Sequence, residues 1–458
     1  MHTKSKKSGT RKTHPSSIEK RLSPIKEETS PQLRSNSVNS KGSRSLKLYN
    51  FKRKTAGRTI KKFMKTHRSK IQLRFLNTIC SDSNVCIAFG KECKKIRIFF
   101  DDFDFNLLSK PPKVVGSSSN GTVQLLTYEK DKYLANAIFK TSNKESADNL
   151  NYEAIVGMFI NKQKLRFPCF LETYGLFRNE NLNAIGKDIN HYKKIDINIE
   201  NLIISCEKPL SISILIENIK ESKTLKDTLM SLTSQYTNFM NFELLYILYQ
   251  IYAPLSMLCE VFTHYDLHYS NVMLYEPVKR KHIEYHYHYP DRVVKFNSGY
   301  IVKIIDYGRC FFKDETGYNP RDIYGELCDS EFDSNCKECG KGKGFGWLEP
   351  SSLNYNSSQK RNMSHDLRLL NLLKYFKPDY NSDLNNLINS TIYKTEYGTP
   401  ELKLKNSKSI CNVNDAALKM ENLIKTEYFQ KYNDYDPDLK LGEMHIYSDG
   451  RPMKYISV

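Results

Sequence analysis

Acidic residues are scarce at the start of this 458-residue chain, and aromatic residues are missing from its first 48 positions. Residues 1–75 hold 22 Lys and Arg against 3 Asp and Glu, and residues 1–48 contain no Phe, Tyr, Trp or Cys. Such a segment cannot bury enough apolar surface to offset the entropy of ordering, so 1–75 reads as a disordered basic tail. It also lacks the apolar stretch of a secretory signal. The other 383 residues carry 48 basic and 48 acidic side chains, so the formal charge of +19 belongs to the tail alone. Spread over a whole protein, that charge would point to nucleic acid. Confined to the tail, with clusters at Lys52-Arg53-Lys54 and Lys61-Lys62, it suits contact with nucleic acid, an acidic surface or an import receptor. A merely solvated arm is the alternative. Ser23-Pro24 and Ser30-Pro31 match the minimal proline-directed phosphorylation pattern, a weak signal.

The chain has no visible internal repeat and no uninterrupted apolar run. Its most apolar stretch, Phe242 to Phe262, is broken by Glu243, Gln250, Pro254 and Glu260, which predicts a buried helix and no transmembrane segment. The eleven cysteines are odd in number and scattered, which suits reduced thiols in a cytosolic-type compartment. Residues 111–140 read as strands and turns, 152–162 as a helix, 211–219 as a buried β-branched strand and 364–376 as a helical run. A β-rich first half followed by a helical second half predicts an α+β chain of two lobes, 76–219 and 220–458, behind the tail.

Chemistry concentrates in His264-Tyr265-Asp266-Leu267-His268-Tyr269-Ser270-Asn271, followed by an apolar Val272-Met273-Leu274. An Asp and an Asn five apart on a loop suit phosphoryl transfer: the carboxylate orients and deprotonates an attacking hydroxyl, and the amide oxygen holds a hard cation. A second carboxylate is supplied by Asp306, at the end of the apolar Ile301–Ile305 and two residues before Gly308. The plainer alternative is that the loop Asp and Asn only cap a turn.

These two segments resemble the H-x-D-L-x-x-x-N catalytic loop and the D-F-G turn of the protein-kinase-like superfamily, with Tyr307 in place of Phe. The resemblance implies a bilobal protein-kinase-like fold with a β-rich N-lobe and a mostly helical C-lobe, Asp266 as catalytic base, and Asn271 and Asp306 as Mg²⁺ ligands. Gly116, Gly121 and Val123 then match a glycine-rich phosphate loop whose middle glycine is replaced by Ser118, and Ala137-Ile138-Phe139-Lys140 resembles V-A-I-K. Lys140 would meet the ATP phosphates, Glu153 would hold Lys140, and the stretch Glu217 to Ile219 would form the adenine hinge. For Lys140 a solvated edge-strand lysine is the competing reading, and for Glu153 a helix-surface glutamate. Asp366 resembles the family's buried helix Asp that bonds the catalytic-loop backbone; the alternative is an N-cap at Ser364 or Asp366. Tyr397-Gly398-Thr399-Pro400-Glu401 looks like an activation-loop end but stands out of order, after Asp366.

Tyr152-Glu153 through Val156-Gly157 and Phe167 to Gly175 resemble kinase-like proteins of giant DNA viruses. That resemblance implies ATP and Mg²⁺ as cofactors, serine/threonine kinase activity on a protein substrate, and host-cell cytoplasm or a virion as setting. Three departures qualify it. Tyr265 stands where regulated kinases carry Arg, and His268 stands where protein kinases place Lys, as in several small-molecule kinases. No clear A-P-E follows, Leu348-Glu349-Pro350 being a faint echo. A small-molecule hydroxyl kinase and a binding-only pseudokinase are the alternatives. Residues 279–299 and 310–360 read as insertions. The first carries His282, His286 and His288 at even spacing, either a metal site or, by default, an exposed polar ribbon; Cys310, Cys328, Cys336 and Cys339 in the second allow a zinc knot or scattered thiols.

Overall fold

A computed structural model describes residues 78–80, 86–118, 121–130, 133–142, 148–179, 191–201, 204, 211–219, 221–231, 238–315, 361–376, 381–393, 408–433 and 436–457. The basic tail, Ser119 and Asn120, Cys328, Cys336, Cys339, Leu348–Pro350 and Tyr397–Glu401 lie outside the described residues.

A ribbon of β1 (Thr78–Cys80) and β2 (Cys86–Ala88) precedes helix α1 (Cys93–Asp101). A six-stranded antiparallel sheet follows, built from β3 (Lys113–Ser118), β4 (Gly121–Lys130), β5 (Tyr133–Ser142), β6 (Thr173–Asn179), β7 (Lys193–Ile195) and β8 (Ser211–Glu217). Its order is β3-β4-β5-β8-β6-β7, with α2 (Asp148–Gln163) inserted between β5 and β6. Strand alternation divides its core in two. Phe139, Tyr128, Tyr174, Phe177 and Leu215 pack one face with Phe100, Phe103 and Phe105. Ile212, Ile214 and Leu176 pack the other face against Leu150 and Ala154 of α2. The helix sits close because residue 157 is glycine: a Cβ there would lie 2.3 Å from Thr173 Oγ1.

The second half is mixed rather than mostly helical. Its elements are β9 (Lys223–Thr224), α3 (Leu225–Ser231), a π turn at Phe239–Glu243, α4 (Leu244–Met257), β10 (Phe262–Thr263), β11 (Val272–Tyr275), β12 (His282–His288), β13 (Val293–Ser298), β14 (Ile301–Ile304), β15 (Phe311–Phe312), α5 (Arg368–Leu373), α6 (Ser382–Asn389), α7 (Val413–Ile424), α8 (Glu427–Tyr432), β16 (Lys440–Tyr447) and β17 (Lys454–Ser457). The predicted buried helix is α4, with Leu244 through Leu255 all buried. Its polar interruptions have partners: Ser298 Oγ donates to Glu243, Gln250 Nε2 donates to the Tyr300 carbonyl at 3.1 Å, and Val302 N–H donates to Gln250 Oε1. Among the described residues no helix is long and apolar enough to cross a membrane.

The 279–299 segment forms a β-hairpin and is not the exposed ribbon that the sequence suggests. Ile283, Tyr285 and Tyr287 of β12 and Phe296 of β13 are buried, and Phe296 stacks on Tyr246 of α4. The hairpin belongs to a four-stranded sheet ordered β13-β12-β16-β17, so late strands complete it. Pro and Gly punctuation gives no warning of this, because the β12–β16 pairing is parallel and remote in sequence.

Candidate active site

The site is assembled by short antiparallel pairings. β11 pairs with β14, Val272 opposite Ile304, and the Ile305 N–H donates to the Asn271 carbonyl at 3.0 Å. That ladder brings the 264–271 loop beside Asp306. The loop is held from below by Asp366, whose Oδ2 and Oδ1 accept the backbone N–H groups of His264 and Tyr265 at 2.8 and 2.9 Å. Ser364 makes no side-chain cap, so of the two sequence readings the geometry is that of the loop clamp. Burial pushes the Asp366 carboxyl up to about 7 against the pull of those two N–H donors. Tyr265 and Asp306 are left-handed, at φ 63° and 70°. Such non-glycine conformations cost roughly 1 kcal/mol or more and persist only where surrounding bonds over-determine them.

His264 is fully buried. Its Nε2 donates to the Ile305 carbonyl at 3.0 Å, and its Nδ1 accepts the Asp266 N–H at 3.3 Å. A neutral ring satisfies both bonds; burial lowers its pKa to about 4.

Lys140, at the end of β5, places Nζ 2.7 Å from Glu153 Oε2 on α2 and 3.0 Å from Asp306 Oδ1. Burial by itself lowers the pKa of this ammonium. The carboxylates of Asp306 and Glu153 outweigh it and hold the lysine charged well above its ordinary range. The lysine in turn lowers Asp306, while burial keeps Glu153 raised. Neither competing reading, edge lysine or surface glutamate, describes this pair.

Asp266 faces three basic groups. Arg368 Nη1 donates to its Oδ1 at 2.6 Å, Arg309 Nη1 lies 3.6 Å from Oδ2, and His268 Nε2 lies 3.7 Å from Oδ1. Asn271 Nδ2 donates to the Asp266 carbonyl at 2.9 Å. Neither arginine is signalled by the loop motif; Arg368 was findable only from its position two residues after Asp366, on the helix that clamps the loop.

The other sequence-named residues divide. Val123 stands directly opposite Lys140 on β4, and Gly116 opposite Val123 on β3, so these three form one row across the sheet. Gly121 is dictated by packing: a Cβ there would lie 2.2 Å from the Thr141 carbonyl oxygen. Gly116 has no such neighbour, the nearest atom being Val123 Cβ at 3.8 Å. Ala137 is not on the Lys140 face. It lies three residues earlier on an alternating strand and packs in the aromatic cluster with Phe139, whereas Ile138 shares the face of Lys140.

Glu217, expected at the adenine hinge through its backbone, has a separate role for its side chain. Its N–H donates to the Glu172 carbonyl at 2.8 Å, and its side chain turns into a buried ionic cluster. There it accepts from Lys164, lies 3.7 Å from Lys303 Nζ and accepts the Glu172 N–H. Arg97 Nε completes the cluster, 2.8 Å from Glu172 Oε1. Burial lowers Lys303 to about 8, with Lys164 and Lys303 holding Glu217 ionised against its own burial. Ile219 is buried in the main core. Cys310, the described member of the proposed zinc set, is buried, and its thiol donates to the His264 carbonyl.

No protein-family model matches the chain, and no curated protein matches it in sequence. Among solved structures it is similar to a Plasmodium kinase domain, with a TM-score of 0.27 and 16% identity over 46% of this chain and 54% of that one.

Proposed function

We propose that this chain is an ATP-dependent phosphotransferase of the protein-kinase-like type, acting on serine or threonine hydroxyls of a protein. One observation carries the reading: Lys140 bridges Glu153 and Asp306, 13 and 166 residues away, at the mouth of the loop that bears Asp266 and Asn271. A structural ion pair needs only two of these groups. Three groups converging beside a clamped Asp loop suit the positioning of phosphates.

In this reading Asp266 accepts the proton of the acceptor hydroxyl as its oxygen bonds the γ-phosphorus and the bond to the leaving ADP oxygen breaks. Lys140 neutralises charge on the phosphates, and Glu153 keeps it aimed. The donor set suits Mg²⁺: Asp306 offers a carboxylate, and Asn271 has spent its Nδ2 on a backbone carbonyl, so Oδ1 is its ligating atom. Mg²⁺ bound there supplies charge neutralisation; catalysis is otherwise positioning and preorganised electrostatics. A relation to kinase-like proteins of giant viruses, and with it a host-cytoplasmic or virion setting, is part of this same proposal and rests on the sequence resemblance alone.

A second reading, a small-molecule hydroxyl kinase, is favoured by His268 beside Asp266. Radiolabelled ATP with Mg²⁺, offered with protein acceptors, sugars, choline and aminoglycosides, tests both. Label on protein, lost in Asp266→Asn, supports the first; label on a small molecule moves the assignment to the second. ATP binding without transfer or hydrolysis would make the chain a pseudokinase.

A further inference from the structure

A second constellation lies on the sheet β13-β12-β16-β17. Strand alternation puts Glu284, His286 and His288 on one face of β12, opposite the face of Tyr285 and Tyr287. Strand β16 runs parallel beside it, with Glu443 opposite Glu284, His445 opposite His286 and Tyr447 opposite His288. This alignment depends on a bulge. The pairing steps from His282 and Lys440 to Ile283 and Gly442, skipping Leu441; an unbroken register would set Met444 opposite His286. The bulge is built on glycine: a Cβ at Gly442 would lie 2.3 Å from the Ile456 carbonyl oxygen.

The result is three imidazoles within ligand distance of one another. His288 Nε2 lies 3.0 Å from His445 Nδ1, and the rings of His286 and His445 are 4.5 Å apart. Each of the three offers a nitrogen within 4.8 Å of the others. A tetrahedral ion with metal–nitrogen bonds of about 2.0–2.1 Å needs its ligand nitrogens about 3.3 Å apart, so small ring movements suffice. His282 is not a member. Same-face residues on one strand are about 6.6 Å apart, so three on one strand cannot converge; the neighbouring strand must supply the third.

The surroundings match those of a metal site. Glu284 Oε1 lies 2.8 Å from His286 Nε2, and Glu443 Oε2 lies 3.2 Å from His445 Nε2. A carboxylate that takes the outer N–H of an imidazole fixes its tautomer and leaves the other nitrogen, here Nδ1, to ligate. The carboxylates are themselves held by Lys440, which contacts Glu284 and lies 2.7 Å from Glu443. That lysine occupies the acidic side and leaves the three imidazoles as the ligand set.

We propose that His286, His288 and His445 bind one divalent ion of the zinc class and thereby tie the β12–β13 hairpin to β16. Three neutral nitrogen ligands favour Zn²⁺ over Mg²⁺ or Ca²⁺. The proposal is independent of the phosphotransferase reading.

The test is titration of the full, chelator-stripped chain with Co²⁺, followed by Zn²⁺. One equivalent of Co²⁺ should give visible d–d absorption without a thiolate charge-transfer band, and Zn²⁺ should displace it. His288→Gln and His445→Gln should each weaken binding more than about 100-fold, and Glu443→Gln about 10–100-fold. His282→Gln should leave binding unchanged. Absence of binding, a thiolate band that assigns the ion to the cysteines, or full affinity in His445→Gln would overturn the proposal. Should a histidine variant unfold by circular dichroism, the Glu443→Gln affinity and the thiolate band decide.

Discussion

The guanidinium of Arg368 donates to Asp266 Oδ1 at 2.6 Å across 102 residues of sequence, and it starts the helix that follows the clamping Asp366. The residue that fixes the loop backbone and the residue that fixes its carboxylate are thus neighbours. If Asp266 is the catalytic base, Arg368→Gln should lower kcat about 10–100-fold, because a misplaced base loses alignment, with the KM for ATP nearly unchanged. Steady-state kinetics at saturating acceptor reads this; an unchanged kcat would remove Arg368 from the machinery.

Lys140→Met should abolish turnover, by at least about 10²–10³-fold, and weaken binding of a fluorescent ATP analogue. It leaves Glu153 and Asp306 facing each other without their cation. Glu153→Gln should cost less, since Asp306 still holds the ammonium. Equal activity in both variants and the parent would contradict the assigned roles.

The Glu217 cluster makes a stability prediction. Glu217→Gln leaves Lys164 and Lys303 buried with less opposing charge, and should destabilise the fold by about 3–5 kcal/mol. Lys303→Met should cost much less, because Glu217 keeps Lys164. Urea unfolding midpoints would rank the two; the reverse order would mean that Lys303 is the main counter-ion.

His264 and Asp366 should pull the pH dependence of stability in opposite directions. A histidine lowered to about 4 stabilises the neutral-pH fold, and that contribution is lost as pH falls from about 6.5 toward 4. An aspartate raised to about 7 binds its proton more tightly folded than unfolded, so its contribution is lost as pH rises from about 4 toward 7. Each spans on the order of 3–5 kcal/mol. Asp366→Asn should therefore become more acid-sensitive than the parent over about pH 4.5–6.5, and His264→Gln less so. Denaturant midpoints across that window provide the measurement, and parallel profiles would refute the opposition.

What was legible in the sequence was local. Asp266 and Asn271 are five apart, Asp306 ends an apolar strand, and Lys140 and Glu153 sit on adjoining elements, so spacing and residue type sufficed to pair them. Ala137 was misplaced because one position along a strand reverses the face, and the Ala-Ile-Phe-Lys wording hides that Ile138 is the residue on the lysine side. Arg368, the partner of Asp266, was hinted at only by its place two residues after Asp366, and His445, the partner of His288, had no local signal, because each contact spans more than 100 residues. Glu217 read as a hinge residue because a strand ends there; its buried cations come from two other elements.

The parallel pairing of β12 with β16 has a consequence for how the chain is made. His288 and its partner His445 are separated by 157 positions, so β12 emerges with one neighbour, β13, and waits for the other. At typical synthesis rates that wait lasts roughly 10–30 s, during which a strand edge carrying Ile283, Tyr285 and Tyr287 is open to any other nascent strand. Glu284, His286 and His288 make one face of the waiting strand polar, a composition that disfavours pairing with a foreign apolar strand.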